Sequence, residues 1–435
     1  MKSVEGKKLL ILGGNPETVP LIEVAESLGV KTIVSSGRKT DYAKQFAWKS
    51  FDIDGTDVDG LYDLVLKEKI DGVLVGVADV LVPYYQDLCE RLHFPCYANK
   101  KAVNVFSYKD NFKKTCESYG IHGIPEFFLD KNISDAHLEK IVFPVMVKPV
   151  DSGGGVGMTV CYTKEEIPAA VEKALSASKN GRFIVEKFMD GCDDVGIYYT
   201  FKDGQCSLSC IFDRYTSTEQ KNVSKVNMCS IYPSRHIEDY YKKMHQNALR
   251  MFEDLNINNG VLLLTAFYEN GEFYVYDPGF RLQGEAPHLL IKSINGFDQR
   301  EMLIRFALTG SEGDFDLLSV DDARFNGKWA STLWILLKQG HIARIEGLEN
   351  VASDKNIVAN VQRLYEGDIV EKEWIGTEKQ VLTRLYVVCN SKKELKETLA
   401  HYINTVKVYD DNNKCLCLNN IDTETLFEVN YEGIK

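Results

Sequence analysis

Lys148 closes an apolar run, Val142 to Val147, and is followed by Pro149, Asp151, Ser152 and the glycines Gly153, Gly154, Gly155 and Gly157. The backbone amides of such a loop can turn inward as a nest around a polyphosphate, and a lysine at the strand end adds a point charge. The surroundings exclude two commoner phosphate loops. A Walker loop ends in Gly-Lys-Ser/Thr and opens a helix, and a dinucleotide fingerprint also opens a helix. Here Met158 to Tyr162 is again rich in β-formers, so the glycines read as the tip of a hairpin. On spacing alone, a flexible hairpin tip without a ligand stays open. A second group, Asp277, Arg281, Gln283 and Glu285, follows two β-rich runs, GVLLLTAFY and EFYVYD, joined by Asn270-Gly271. Asn-Gly between such runs is a strong hairpin signal, and polar groups converging at a strand end are what a site looks like. No Ser/His/Asp or Cys/His set is evident; His236 and His288 lie near the second group and read as ordinary surface or core residues.

The elements that must position these groups fall into stretches of different rhythm. With 435 residues, two to four domains are expected. The net charge of −12 argues against a nucleic-acid surface. No apolar run is long enough for a signal sequence or a bilayer span, and 11 cysteines without a C-x-x-C pair fit reduced thiols in a cytoplasmic protein. Residues 7 to about 98 alternate strand and helix: Lys8 to Leu12, a helix to Leu28 closed by Gly29, Lys31 to Ser35, a helix Asp57 to Lys69, and Gly72 to Val77. That rhythm predicts a parallel, doubly wound sheet. Gly13-Gly14 could receive an anion at the helix N-terminus, but the fingerprint spacing is absent, which counts against a nicotinamide-dependent oxidoreductase. A helix Tyr108 to Tyr119 carries Lys109, Lys113 and Lys114, on spacing alone its wet face.

Strands then follow at Phe127 to Phe128, Arg182 to Phe188, Val195 to Phe201, Ser207 to Phe212 and Met228 to Tyr232. Thr163 and Glu166 form a capping box for a helix between the first two. The polar stretch Asp213 to Lys225 is a candidate lid or a solvated loop, and a helix is expected over Asp239 to Leu255. After about residue 325 the chain reads as a separate small α/β unit that packs against or shapes the rim of the site. The predicted class is α/β and α+β multidomain: 1–100 a βαβ preface, 101–190 a small subdomain with the glycine flap, 191–325 a larger subdomain with the metal and substrate site, and 326–435 the C-terminal unit.

Taken in order, residues 7 to about 345 resemble an ATP-grasp enzyme of the carboxylate–amine ligase kind, similar to biotin carboxylase and carbamoyl-phosphate synthase. The resemblance implies that Lys109 and Lys148 hold ATP phosphates under the flap Ser152, Gly153, Gly154, Gly155 and Gly157. It implies that Glu186, Lys187, Phe188 and Met189 line the adenine, with the carbonyl at Glu186 and the amide at Met189 on its edge, and that Asp193 or, preferably, Asp194 meets the ribose. The family's last strands carry an acidic metal ligand and then Glu-x-Asn-Pro-Arg. One register puts Thr265 and Asp277 at the two acidic positions, Gly279 at the asparagine and Arg281 at the arginine; another pairs Asp277-Pro278 with Asn-Pro and leaves Val275 at the glutamate. The resemblance implies ATP and Mg²⁺, with Asp277 and Glu285 on the metal and Arg281 on the γ-phosphate or acyl phosphate. Arg214 and Arg235 are the candidates for a substrate carboxylate. The implied activity joins a small-molecule acid and an amine through an acyl phosphate, without nucleic acid or membrane, and a homodimer is compatible with it. The alternative is a degenerate member that binds ATP without turnover.

Overall fold

The computed structural model describes residues 2–130, 132–150, 157–178, 180–217, 225–418 and 421–431. Ser152, Gly153, Gly154 and Gly155 of the flap lie outside the described residues, as do residues 218–224 of the candidate lid.

The preface is a four-stranded parallel sheet in the order Lys49–Phe51, Lys31–Ser35, Lys8–Leu12, Gly72–Val75. Its strands Lys31–Ser35, Lys8–Leu12 and Gly72–Val75 are almost wholly buried, as a sheet covered by helices on its faces requires. Asp57 caps the helix Val58–Glu68 by accepting from the Gly60 amide at 3.0 Å. A small antiparallel sheet follows, ordered Glu126–Phe127, Phe183–Lys187, Val145–Pro149, Thr159–Cys161. Val145 faces Cys161 and Val147 faces Thr159, so the glycine loop does join two arms of a hairpin. Gly157 has φ +77°, and a Cβ there would meet the Ala177 Cβ at 2.6 Å, so glycine is required for the arm to lie on the neighbouring helix.

The largest element is an eight-stranded antiparallel sheet. Its order is Glu272–Gly279, Gly260–Glu269, Asp193–Lys202, Gln205–Thr216, Asn227–Tyr232, Trp329–Leu336, Val381–Cys389, Ile357–Gln362. The Asn270-Gly271 turn has positive φ at both residues, 52° and 83°, the geometry that selects this dipeptide. Two sequence expectations are corrected here. The helix expected over Asp239 to Leu255 breaks at Met244 into Ile237–Lys243 and His245–Asp254. His245 Nδ1 lies 2.8 Å from the Tyr199 hydroxyl, itself 2.6 Å from that of Tyr240, and this buried contact outweighs helical continuity. The C-terminal unit is not separate in its sheet, because three of its strands continue the large one. Apolar strands read alike whichever sheet they join, so sequence pattern could not tell. All eleven cysteines are free, and no helix among the described residues is long and apolar enough to cross a membrane.

Glu312, just beyond the helix Gln299–Thr309, is buried, and burial with the nearby Asp203 charge pushes its carboxyl up to about 8 from an ordinary 4.5. A folded-state pKa above the unfolded one favours the fold fully below the unfolded value, and that contribution is lost as pH rises through the folded value. Glu312→Gln should therefore gain melting temperature over the parent progressively between about pH 5 and about pH 8.5, with little gain near pH 4.5. Thermal unfolding across that range measures it, and a gain independent of pH would refute the assignment.

Candidate active site

Lys148 projects from the flap strand with its ammonium paired to Glu186 on the adjoining strand; the two side chains are 20% and 9% exposed. Lys113, from the helix Lys109–Ser118, is paired to Glu126 and stands 4.0 Å from the same Glu186 carboxylate. Two cations thus converge on one buried carboxylate, which is the more firmly held for having both. Lys109, at the first turn of the same helix, reaches across to Asp277 at 3.2 Å. Both partners of that contact are half-exposed, so it is weak and readily exchanged.

Asp277 lies near the end of the strand Glu272–Gly279. Thr265 is directly opposite in register and its hydroxyl donates to the Asp277 carbonyl at 2.9 Å. Thr265 and Asp277, which one of the two alignments sets at the acidic positions, are thus cross-strand neighbours, and Val275 of the other alignment is opposite Ala266. A Cβ on Gly279 would stand 2.6 Å from the Gln283 amide nitrogen, which donates to the Gly279 carbonyl at 2.9 Å. Gln283 therefore fills the space where a side chain at position 279 would go. Arg281 donates to the Leu282 carbonyl at 2.8 Å and to Gln283 Oε1 at 2.9 Å, and is ion-paired to Asp79 of the preface. Its Nε has no partner among the described residues. Burial raises the Asp79 carboxyl and Arg281 pulls it back, leaving it above its ordinary value.

Glu285, Arg214 and Asp194 are brought together, but on one another. Arg214 Nη2 lies 2.9 Å from one Glu285 oxygen and its Nε donates to the other at 3.3 Å, while Nη1 stands 3.6 Å from Asp194. Tyr276 donates to Asp194 at 3.0 Å. Burial raises both carboxyls against the pull of Arg214. Burial opposes the guanidinium charge too, yet the two carboxylates win and raise its pKa. Hence Glu285 is engaged by Arg214 rather than open beside Asp277, and Arg214 is engaged by carboxylates of its own chain. Arg235 lies apart, ion-paired to Asp193, whose other oxygen is 2.9 Å from His236 Nε2.

Along the adenine candidates, Glu186 is paired on both sides, to Glu126 and Met146. The Lys187 amide donates to the Pro125 carbonyl at 2.8 Å and that of Phe188 to the Pro144 carbonyl at 3.0 Å. The Lys187 ammonium is paired to Glu269. Met189, just beyond the strand, is buried.

Sequence reasoning missed Asp79, the Glu186 carboxylate and Glu17, a preface residue paired with Arg363 at 3.1 Å. Asp79 had a legible signal, since it follows the carboxyl end of the parallel strand Gly72–Val75, where open α/β sheets place ligands. Arg384 was missed as well: it donates to the Gly284 carbonyl and pairs with Glu378 at 2.7 Å, and Tyr386 donates to the Glu285 carbonyl at 3.0 Å. The expectation that the C-terminal unit shapes the rim of the site acquires specific residues in these two.

Residues 109–311 match the family model described as carbamoyl-phosphate synthase L chain, ATP binding domain. A formate-dependent phosphoribosylglycinamide formyltransferase of Bacillus subtilis is 27% identical over 42% of this chain and 49% of its own length. The N-terminal section of a carbamoyl phosphate synthase large chain of Aquifex aeolicus is 22% identical over 71% of this chain and 58% of its own. The chain thus spans about half the length of these curated relatives. Among solved structures, a phosphoribosylglycinamide synthetase from Anaerococcus prevotii aligns with TM-score 0.74 at 19% identity, covering 93% of this chain and 100% of that one. A biotin carboxylase domain of the 2-oxoglutarate carboxylase of Hydrogenobacter thermophilus aligns with TM-score 0.73 at 16% identity, covering 94% and 91%. The chain's central residues 109–311 thus match an ATP-binding domain of the carbamoyl-phosphate synthase L chain, and its fold is that of the aligned synthetase and biotin carboxylase structures.

Proposed function

We propose that the chain is an ATP-dependent ligase that activates a small-molecule carboxylate as an acyl phosphate and passes the acyl group to an amine. The observation that carries this reading is the 3.2 Å contact of Lys109 with Asp277, which sets the entry-helix lysine at the strand end that bears Arg281. The carboxylate oxygen attacks the γ-phosphorus, the bond to the β-phosphate oxygen breaks and ADP leaves. The amine then attacks the acyl carbon, phosphate leaves with the carbon–oxygen electron pair, and the amide forms with loss of one proton. The cations of the site are held by carboxylates of the chain: Lys148 by Glu186, Lys109 by Asp277 and Arg281 by Asp79. A polyphosphate supplies replacement anions, and charge-assisted bonds of this kind are the strong ones. Lys148 and Lys109 would turn to the phosphates, and Arg281, with a free Nε donor, to the transferred phosphoryl group.

Among the described residues no group of three or more His, Cys, Asp or Glu could hold a metal by itself. That fits Mg²⁺, which is commonly held by one or two carboxylates with the phosphates and water completing the shell. Asp277, half-exposed and freed as Lys109 swings to phosphate, is the protein ligand, and Glu285 stays with Arg214. The metal's contribution when bound is neutralisation of phosphate charge. The protein's contribution is positioning and electrostatic stabilisation of the transferred group. A similar solved domain is a complex with the magnesium salt of adenosine 5′-diphosphate, which supports the same nucleotide and metal here. A cytoplasmic location, with the thiols reduced, belongs to the same reading.

Three outcomes are expected. Lys148→Ala should fold normally and bind ATP about 10- to 150-fold more weakly, the loss of one charged hydrogen bond of about 1.5–3 kcal/mol; unchanged affinity by titration calorimetry would remove Lys148 from the nucleotide site. Asp277→Asn should lower Mg²⁺-dependent ADP release by roughly 100-fold or more while metal-free nucleotide binding changes little. Parent-like ADP release from that variant would move the metal elsewhere. The activity itself is tested by screening pooled acids and amines for ADP release and trapping the intermediate with hydroxylamine. A hydroxamate from the acid alone, and acceleration by the amine, are expected; stoichiometric ADP without hydroxamate would mean a kinase or an ATPase.

A further inference from the structure

A cavity of about 500 Å³ opens beside Gln283 and Gly284, the residues that follow Arg281 at the strand end. Its walls come from three parts of the chain: the preface contributes Tyr42 and Phe46, the helix His288–Asn295 contributes Leu289, and the C-terminal unit contributes Leu364, just past the strand Ile357–Gln362, and Trp374. The rim rings of Tyr42 and Phe46 are 44% and 39% exposed and stand 5.1 Å apart, an apolar surface left open to solvent. Isolated exposed aromatics need no explanation, but several gathered at the mouth of a pocket beside a reacting centre do.

The charges around this cavity are balanced. Arg363 and Arg384 line it, and both are already matched: Arg363 by Glu17 at 3.1 Å and Glu378 at 3.6 Å, Arg384 by Glu378 at 2.7 Å and Glu17 at 3.9 Å. Arg384 also lies over the Trp334 ring, 4.0 Å from its centre. The remaining lining charges are one acid, Glu23, and one base, Lys379, which rests over Trp374 at 5.9 Å. Neither has an ion-pair partner among the described residues. A phosphate ester, doubly charged near neutral pH, would find one exposed lysine opposed by Glu23 and no uncommitted guanidinium. A zwitterion finds one partner for each of its charges.

The cavity also carries an unspent polar group. His288 lines it, is 4% exposed, and neither ring nitrogen has a hydrogen-bond partner among the described residues. Buried polar groups without partners are costly and uncommon, and here the missing partner can come from a molecule in the cavity. Burial, then the nearby Arg300 charge, pushes the imidazole down to about 3, so it is neutral at physiological pH. A neutral imidazole offers one donor and one acceptor, which suits an amino or carboxyl group with a single charge rather than a phosphate.

We infer that this cavity receives an α-amino acid with an aromatic or branched apolar side chain, as one of the two substrates joined at the neighbouring strand end. The inference rests on the ligase reading for the word substrate, and on the cavity alone for the binding. The apolar side chain lies among Phe46, Leu289 and Trp374, and the charged end is shared among Glu23, Lys379 and His288.

The test uses the full chain and three probes: L-phenylalanine, glycine and ribose 5-phosphate. Calorimetry should show L-phenylalanine binding at least about tenfold tighter than glycine, as burial of a large apolar side chain provides, with no heat from ribose 5-phosphate. Phe46→Ala, whose ring is open to solvent and outside the nucleotide site, should fold and keep ATP affinity while losing about tenfold or more of the L-phenylalanine affinity. Tyr42→Ala is the second variant, should Phe46→Ala be poorly folded. Binding of ribose 5-phosphate in place of L-phenylalanine, or an L-phenylalanine affinity unmoved in a folded rim variant, overturns the inference. ADP release separates the two readings. Turnover supported only by phosphorylated acids or amines would keep the ligase and remove this cavity assignment. L-Phenylalanine binding that depends on the rim, with no ADP release for any pair, would keep the cavity and remove the ligase.

Discussion

A guanidinium taken out of water has to be matched by carboxylates, and Arg214 is the place where this fold meets that demand. It draws Asp194 from one strand of the large sheet and Glu285 from the segment beyond the last strand onto a third strand of its own. Two unpaired carboxylates at that depth would be costly, so the three residues hold or fail together. Glu285 is further fixed by Tyr386 on its carbonyl, and its neighbour Gly284 by Arg384. The short segment between Arg281 and Glu285 is therefore clamped from the sheet below and the C-terminal strands beside it. Gln283 within it caps the Gly279 carbonyl and orients Arg281. The position of Arg281 thus depends on a charge match in which Arg281 itself takes no part.

The site is assembled from all parts of the chain. The preface contributes Asp79 to Arg281 and Glu17 to Arg363 and Arg384. The entry helix contributes Lys109 to the last strand and the flap strand contributes Lys148. Each of these contacts pairs a cation with a carboxylate from a different element. An arrangement of that kind holds the parts in register without filling the site with apolar side chains.

How much of this could be read from the residues depended on whether the signal was local. The parallel preface, the flap hairpin and the Asn270-Gly271 turn rest on alternation, glycine and turn chemistry within a few residues, and the structure has each of them. Lys109, Lys148, Asp277 and Arg281 stood out as candidates because each sits at or near the end of a regular element. The Glu186 carboxylate did not, since its meaning lies in the cations Lys148 and Lys113 of other elements; Asp79 had its place after a parallel strand as a signal, but its partner Arg281 lies far along the chain. The pairing of Glu285 with Arg214 was equally hidden: a carboxylate near a strand end reads as a ligand until its partner in space is known. Continuity of the sheet beyond residue 325 is a fact of strand pairing, which hydrophobic pattern does not encode.

That continuity has a consequence for the chain's colloidal behaviour. Asn227–Tyr232 is buried along its whole length and pairs on one side with Trp329–Leu336. Ending the chain at the compositional boundary near residue 325 would strip that partner away. A strand buried on both faces would then present a row of unpaired amides and carbonyls to water, a template for strands of other molecules. Residues 326–435 thus serve as edge protection for the strands that precede them in the large sheet.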